Sequence, residues 1–164
     1  MTDTMTDTMT DTMTDNDAAM RQHAASTPVP EFDDAAFTLP KPLAQAKVAI
    51  VTSAAIHVAG DTGWAPNADP HFKVLDDRAR DLHLSHFSPN FDRSGFHSDI
   101  NVVYPVDRLH ELADRGVIGS VAPRHYAFAG NQDETVSGIR LDSGPSAAKL
   151  MLEDGVDVVL LTPV

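Results

Sequence analysis

Two short apolar runs constrain the fold more than any other feature. Lys47-Val-Ala-Ile-Val-Thr-Ser53 and Asp157-Val-Val-Leu-Leu161 are nearly continuous in β-branched and aliphatic residues. A half-exposed strand alternates polar with apolar, so unbroken runs of this length read as strands buried on both faces of a parallel sheet. Between them the sequence supplies helices. Pro105 suits a first helical position, Val106, Leu109, Leu112 and Ala113 recur at helical spacing, Glu111 and Arg115 form an i,i+4 pair, and Gly116 is the stop. A second helix starts near Ser143 with Pro145 in its first turn, buries Ala147, Leu150 and Met151, and stops at Gly155. Strands alternating with helices predict an α/β fold, a three-layer sheet of Rossmann-like or flavodoxin-like type, with ligand sites at the carboxyl ends of the strands. In such a sheet the loop after Ser53 and whatever follows Thr162 lie close together. Only Pro163 and Val164 follow the last run. With no helix to cover that face, the sheet reads as incomplete at its C-terminal end and the chain as cut short.

The ends of the chain are organised differently from its body. Met-Thr-Asp-Thr occurs at 1–4, 5–8 and 9–12, and Met-Thr-Asp-Asn at 13–16. A period of four matches no packing unit, so residues 1–25 read as a disordered low-complexity tail in which Met5, Met9, Met13 and Met20 are alternative starts. Residues 26–42, with four prolines among Val29, Phe32, Phe37 and Leu39, read as an extended lead-in, and the α/β domain as residues 43–164. Residues 1–37 hold eight acids against Arg21 alone, −7 of the formal charge of −12, so the body is only mildly acidic. That balance argues against nucleic acid as a partner. Apolar residues make up 42% of the chain, enough for a core, but no run approaches the roughly 20 needed to cross a bilayer. The first twenty residues lack the basic and apolar regions of a secretory signal, and a cytoplasmic location is the expectation. There is no cysteine. Disulfides, thiolate metal sites, cysteine nucleophiles and thiol redox chemistry carried by this chain alone are therefore excluded.

Residues 54–73, with Gly60, Gly63, Pro66 and Pro70 and no periodicity, form a long loop of the kind that carries sites. His57 lies in it as a candidate acid or base. Gly60-Asp-Thr-Gly63 has neither the Lys-Ser/Thr of a P-loop nor dinucleotide spacing, and Trp64 reads as an anchor for the loop. Asp81–Phe87 alternates weakly, as a more exposed strand would. Among the eight histidines the densest group is His83, His86 and His97 with Asp99. On a strand His83 and His86 point to opposite faces, so no metal site is assigned there. Asp99 and Asn101 precede the apolar segment Ile100–Tyr104, where polar residues ordinarily make turn or cap bonds. Arg124-His125-Tyr126, after Pro123, sets a guanidinium beside an imidazole, a pair able to hold a carboxylate and move a proton.

The run Asp99-Ile-Asn-Val-Val-Tyr-Pro-Val-Asp-Arg-Leu-His-Glu-Leu-Ala-Asp-Arg-Gly-Val-Ile-Gly-Ser-Val-Ala-Pro-Arg-His-Tyr126 closely resembles the signature region of the selenoprotein B family of the glycine, sarcosine, betaine and D-proline reductases. With Val48–Ser53, His57 and Asp154–Thr162 the resemblance covers about residues 40–164. It implies a substrate-specific oxidoreductase subunit acting with a pyruvoyl-bearing partner subunit and a thioredoxin-like or dithiol donor. A selenolate or thiolate there breaks a C–N bond. Placed on the matched motifs, Arg124, His125 and His57 are the catalytic candidates, and Asp99, Asn101 and Ser53 the substrate-binding ones. The family's redox residue follows the strand that Asp157–Thr162 matches, so selenocysteine or cysteine is expected beyond Val164, with a UGA codon read as a stop. A fragment, a split protein or a degenerate paralogue acting as a non-catalytic binding or regulatory module is the alternative, and a metal-dependent hydrolase built on the histidines a weaker one. Exposed apolar surface on the last strand predicts that the isolated chain associates.

Overall fold

A computed structural model of the protein describes residues 17–23, 25–26, 33, 37–87, 93–133 and 135–164. The chain divides into two compact units, Met1–Ala35 and Ala36–Val164. In the first, the tetrapeptide repeat lies outside the described residues. Residues 17–23 are helical, Arg21 pairs with Asp17 one turn earlier at 2.7 Å, and the Ser26 hydroxyl donates to the His23 carbonyl.

The second unit is an α/β domain. Its strands are β1 (Lys47–Thr52), β2 (Ile56–Val58), β3 (Phe72–Asp76), β4 (Leu82–Leu84), β5 (Ser120–Val121), β6 (Arg124–Phe128) and β7 (Val158–Thr162). Its helices are α1 (Ser94–Ser98), α2 (Val106–Asp114) and α3 (Gly144–Glu153), the last led in by a π-helical turn at Ile139–Ser143. β1 is the centre of the main sheet. Along one side it pairs in parallel with β5 through Lys47 and Val48 and with β6 through Val51 and Thr52; along the other it pairs in parallel with β7 over Val48–Thr52. β3 continues the sheet beyond β6 and runs antiparallel to it, so the sheet is mixed rather than parallel throughout. β2 and β4 form a separate antiparallel ribbon.

Alternation along β1 and β6 makes three layers. Val48, Ile50 and Ala127 face one core with Val106 and Leu109 of α2, Tyr104, Leu75 and Trp64. Val51, Tyr126 and Phe128 face the other, closed by Ala147, Leu150 and Met151 of α3. Trp64 therefore anchors its loop, with the Lys73 ammonium 5.4 Å from its ring centre. Gly116 and Gly155, both at φ +68°, end α2 and α3 as expected.

Several expectations need correction. β7 is not buried on both faces: it forms the outer edge beside β1, and Val159, Leu160 and Leu161 are exposed. An unbroken apolar run reports hydrophobicity, not the number of neighbours, and an edge strand with the same run is indistinguishable in sequence. Glu111 pairs with Arg108 at 2.7 Å rather than with Arg115. The long loop after Ser53 contains β2 and leads into β3, and Ile100–Val102 is a 3-10 turn. Arg124–Phe128, to which the sequence assigns no element, is a central strand, and Pro123 interrupts the run between β5 and β6.

Candidate functional site

The carboxyl ends of β1, β6 and β7 converge, where an α/β sheet holds its ligands. The Ser53 amide donates to the Thr162 carbonyl at 3.3 Å. The Ser53 hydroxyl accepts from the Val164 amide at 2.9 Å and donates to the Val164 carbonyl at 3.3 Å. The Thr162 hydroxyl donates to the Val103 carbonyl at 3.0 Å, tying β7 to the start of α2. Gly130 completes the convergence from β6: a Cβ there would stand 3.2 Å from the Ser53 carbonyl, 3.3 Å from the Val164 carbonyl and 3.7 Å from His86 Nε2. The loop after Ser53 and the residues after Thr162 thus meet as the sequence predicts.

Ala55 follows at φ +53°, a left-handed conformation costly for a residue with a Cβ, and it is held by two backbone bonds. Its amide donates to the Phe128 carbonyl and its carbonyl accepts from the Ser85 amide. That second bond brings β4's exit under β2. There His57, 7% exposed, sends its Nδ1 to the Val58 carbonyl at 3.1 Å and its Nε2 to the Ser85 hydroxyl at 2.9 Å. A carbonyl only accepts, so in the neutral ring the proton sits on Nδ1 and Nε2 accepts from Ser85. The imidazole is oriented as a base toward a hydroxyl, in the manner of a nucleophile and base pair. Ser85 carried no signal of its own in the sequence, lying between histidines considered for a metal.

The other candidates sit elsewhere. Arg124, at the amino end of β6, grips Asp154 with two bonds, Nε at 2.7 Å and Nη2 at 2.8 Å, and donates from Nη2 to the Leu150 carbonyl. This holds the Asp154 carboxyl below the usual carboxylate range. Its fork is filled by this chain's own carboxylate, so it braces α3 against the sheet rather than waiting for a substrate's. His125 is fully buried on β6, where its Nδ1 accepts from the Ile50 amide at 2.9 Å. The break at Pro123 leaves that amide without a ladder carbonyl, and the imidazole takes its place. Burial, with His110 nearby, pushes its pKa down to about 4, so it is neutral. Burial likewise pushes the phenol of Tyr104, edge-on to this ring at 5.5 Å, upward.

Asp99 and Asn101 are a local clasp. Asp99 Oδ1 accepts from the Asn101 amide and side chain, and Asn101 in turn bonds Asp107 through its amide nitrogen and its carbonyl oxygen. The Asn101 bonds lower the Asp99 carboxyl. This is the capping role their residue types suggest, and it fixes the entry to α2. Among the described residues no three His, Asp or Glu side chains gather as a metal would require.

Sequence comparison places this architecture among known proteins. The glycine/sarcosine/betaine reductase selenoprotein B family matches residues 16–164, the whole of the α/β domain. The chain belongs to that family. Curated relatives include the D-proline reductase subunit gamma of Acetoanaerobium sticklandii, 33% identical over 124 residues, which cover 74% of this chain and 50% of that protein. The glycine reductase complex component B subunit gamma of Symbiobacterium thermophilum is 32% identical over 146 residues, 82% of this chain and 32% of its own length. The sarcosine reductase complex component B subunit beta of Peptoclostridium acidaminophilum is 32% identical over 128 residues, 74% and 29%. The chain thus spans about half the length of the first relative and about a third of the other two. No solved structure matches it. No helix among the described residues is long and apolar enough to cross a membrane.

Proposed function

We propose that this chain forms the substrate-side framework of an amino-acid or amine reductase subunit, with its redox centre in the segment that follows β7. One observation carries the reading: the Ser53 hydroxyl bonds both the amide and the carbonyl of Val164, and Gly130, with His86 close by it, faces the same carbonyl, so the next residue would emerge beside them. The surroundings suit a reactive chalcogen. Gly130 leaves room that a Cβ would crowd, Ser53 fixes the backbone on both sides of the Val164 peptide unit, and β2 and β4 bring a histidine–serine pair to the same end of the sheet. A selenolate or cysteine thiolate there would supply the nucleophile for reductive C–N cleavage, with a pyruvoyl-bearing subunit presenting substrate and a thioredoxin-like or dithiol donor restoring it. This chain's own part is positional and acid–base. Ser53 orients the exit from β7, the Ala55 turn pins β4, and His57 Nε2 accepts the Ser85 proton, making Ser85 Oγ the atom at which a proton is taken up or returned.

The decisive experiment is the intact mass and selenium content of the protein purified from its own cells. A species heavier than 17.7 kDa that carries selenium or cysteine after Val164 is expected. A 17.7 kDa species with neither overturns the redox assignment and leaves a binding module of the same fold.

A further inference from the structure

The described surface holds a second feature that the reductase reading does not use. A cavity of about 370 Å³ opens between β4 and α1, lined by Leu82, His83, Leu84, Arg93, Phe96 and His97. Its volume falls in the range of small-molecule sites. Its lining divides by chemistry: Leu82, Leu84 and Phe96 supply apolar walls, while every polar side chain among the described lining residues is a guanidinium or an imidazole. The wall thus gathers one guanidinium and two imidazoles with no acid among its described lining residues. Asp81 Oδ1 stands 3.8 Å from His83 Nε2, longer than a hydrogen bond.

The walls are braced. His83 pairs with His57 across the β2–β4 ribbon, and the two rings meet edge-on at 5.8 Å. Phe96 packs against the main core and stands edge-on to His97 at 5.7 Å. Among the described residues Arg93 is anchored by an Nη2 bond of 2.6 Å to the His86 carbonyl, and a guanidinium carries five N–H donors in all. A guanidinium pairs with a carboxylate through two parallel bonds, and imidazoles add further donors. We infer that this pocket binds a small organic monocarboxylate with an apolar body, its carboxylate on Arg93, His83 and His97 and its body against Leu82, Leu84 and Phe96. Binding here does not depend on the redox reading above.

Benzoate is the probe, with benzamide as a neutral isostere and benzamidinium as a cation of the same shape, titrated into the full chain by calorimetry and by NMR of the histidine ring protons. Saturable binding of benzoate with shifts at His83 and His97, and no saturation by the other two, is expected. Arg93→Gln and His97→Gln, each checked for folding by circular dichroism, should weaken benzoate about tenfold or more, the loss of a charge-assisted bond. Arg115→Gln, at the C-cap of α2 and outside the pocket's described lining, should leave it unchanged. Equal binding of the three probes, shifts confined to other histidines, or undiminished affinity in both folded pocket variants would overturn the assignment. So would absence of saturation up to concentrations of about 20 mM, past the weakest affinities useful in such sites.

Discussion

Arg124 and His125 are adjacent, yet the sheet sends them to opposite layers and gives each a different task. Arg124 reaches α3 and closes a bidentate pair on Asp154 whose side chains are 32% and 14% exposed. Lysine keeps the charge but not the fork, so Arg124→Lys is expected to lower the urea midpoint nearly as much as Arg124→Gln. A lysine variant as stable as the parent would show that charge alone suffices. His125 is neutral and buried, with a pKa of about 4 against 6.5 ordinarily. As pH falls below about 6.5 the unfolded chain takes up a proton that the native ring refuses until about 4. Stability from this group is therefore complete above the ordinary value and is lost between the two. The wild-type chain should lose on the order of 2 kcal/mol between about pH 7 and pH 5, and His125→Asn, which can still accept from Ile50, should flatten that slope while lowering stability at neutral pH. An unchanged slope in the variant would place the titration elsewhere.

At the scale of elements, β7 is the exposed liability of the domain. Among the described residues its only strand partner is β1, and the five residues of β7 include no charge to blunt the free edge. The isolated chain should self-associate with rising concentration in sedimentation velocity. Leu161→Lys, at a position 68% exposed, should shift it toward monomer without loss of fold. A wild-type chain that stays monomeric throughout would remove β7 as an association surface. The same strand shows what sequence can and cannot convey. Its existence, the span of α2 after Pro105 and the two glycine stops are local facts, written in periodicity and backbone preference, and they stand. Its exposure is not local, because burial depends on how many neighbours the topology supplies. β6 was hidden for a related reason: Arg-His-Tyr after a proline has a loop's composition, and only the β1 and β3 ladders on either side make it a strand. At the site, Ser53 and His57 were legible because they follow a recognisable strand. Ser85 and Gly130 were not, since what matters about them is the atom that each faces across the chain.

For the whole molecule, the distribution of charge and of core point the same way. The acidic excess is concentrated in residues 1–37, whereas among the described residues every buried core residue lies between Ala46 and Ala147. Both cores are closed by the elements of the second unit, from β1 to α3. Folding free energy comes chiefly from apolar burial, and the described buried residues of both cores belong to the second unit. Removal of residues 1–35 should accordingly leave the unfolding free energy of the remainder within about 0.5 kcal/mol of the parent, the range of changes that touch no packed feature. It should also strip all eight acids that precede the sheet's first strand, together with Arg21, raising the isoelectric point without altering the near-ultraviolet spectrum of Trp64 and Tyr104 in the core. A truncated chain that unfolds at clearly lower urea, or that loses that spectrum, would mean that the acidic segment contributes packing to the domain and not charge alone.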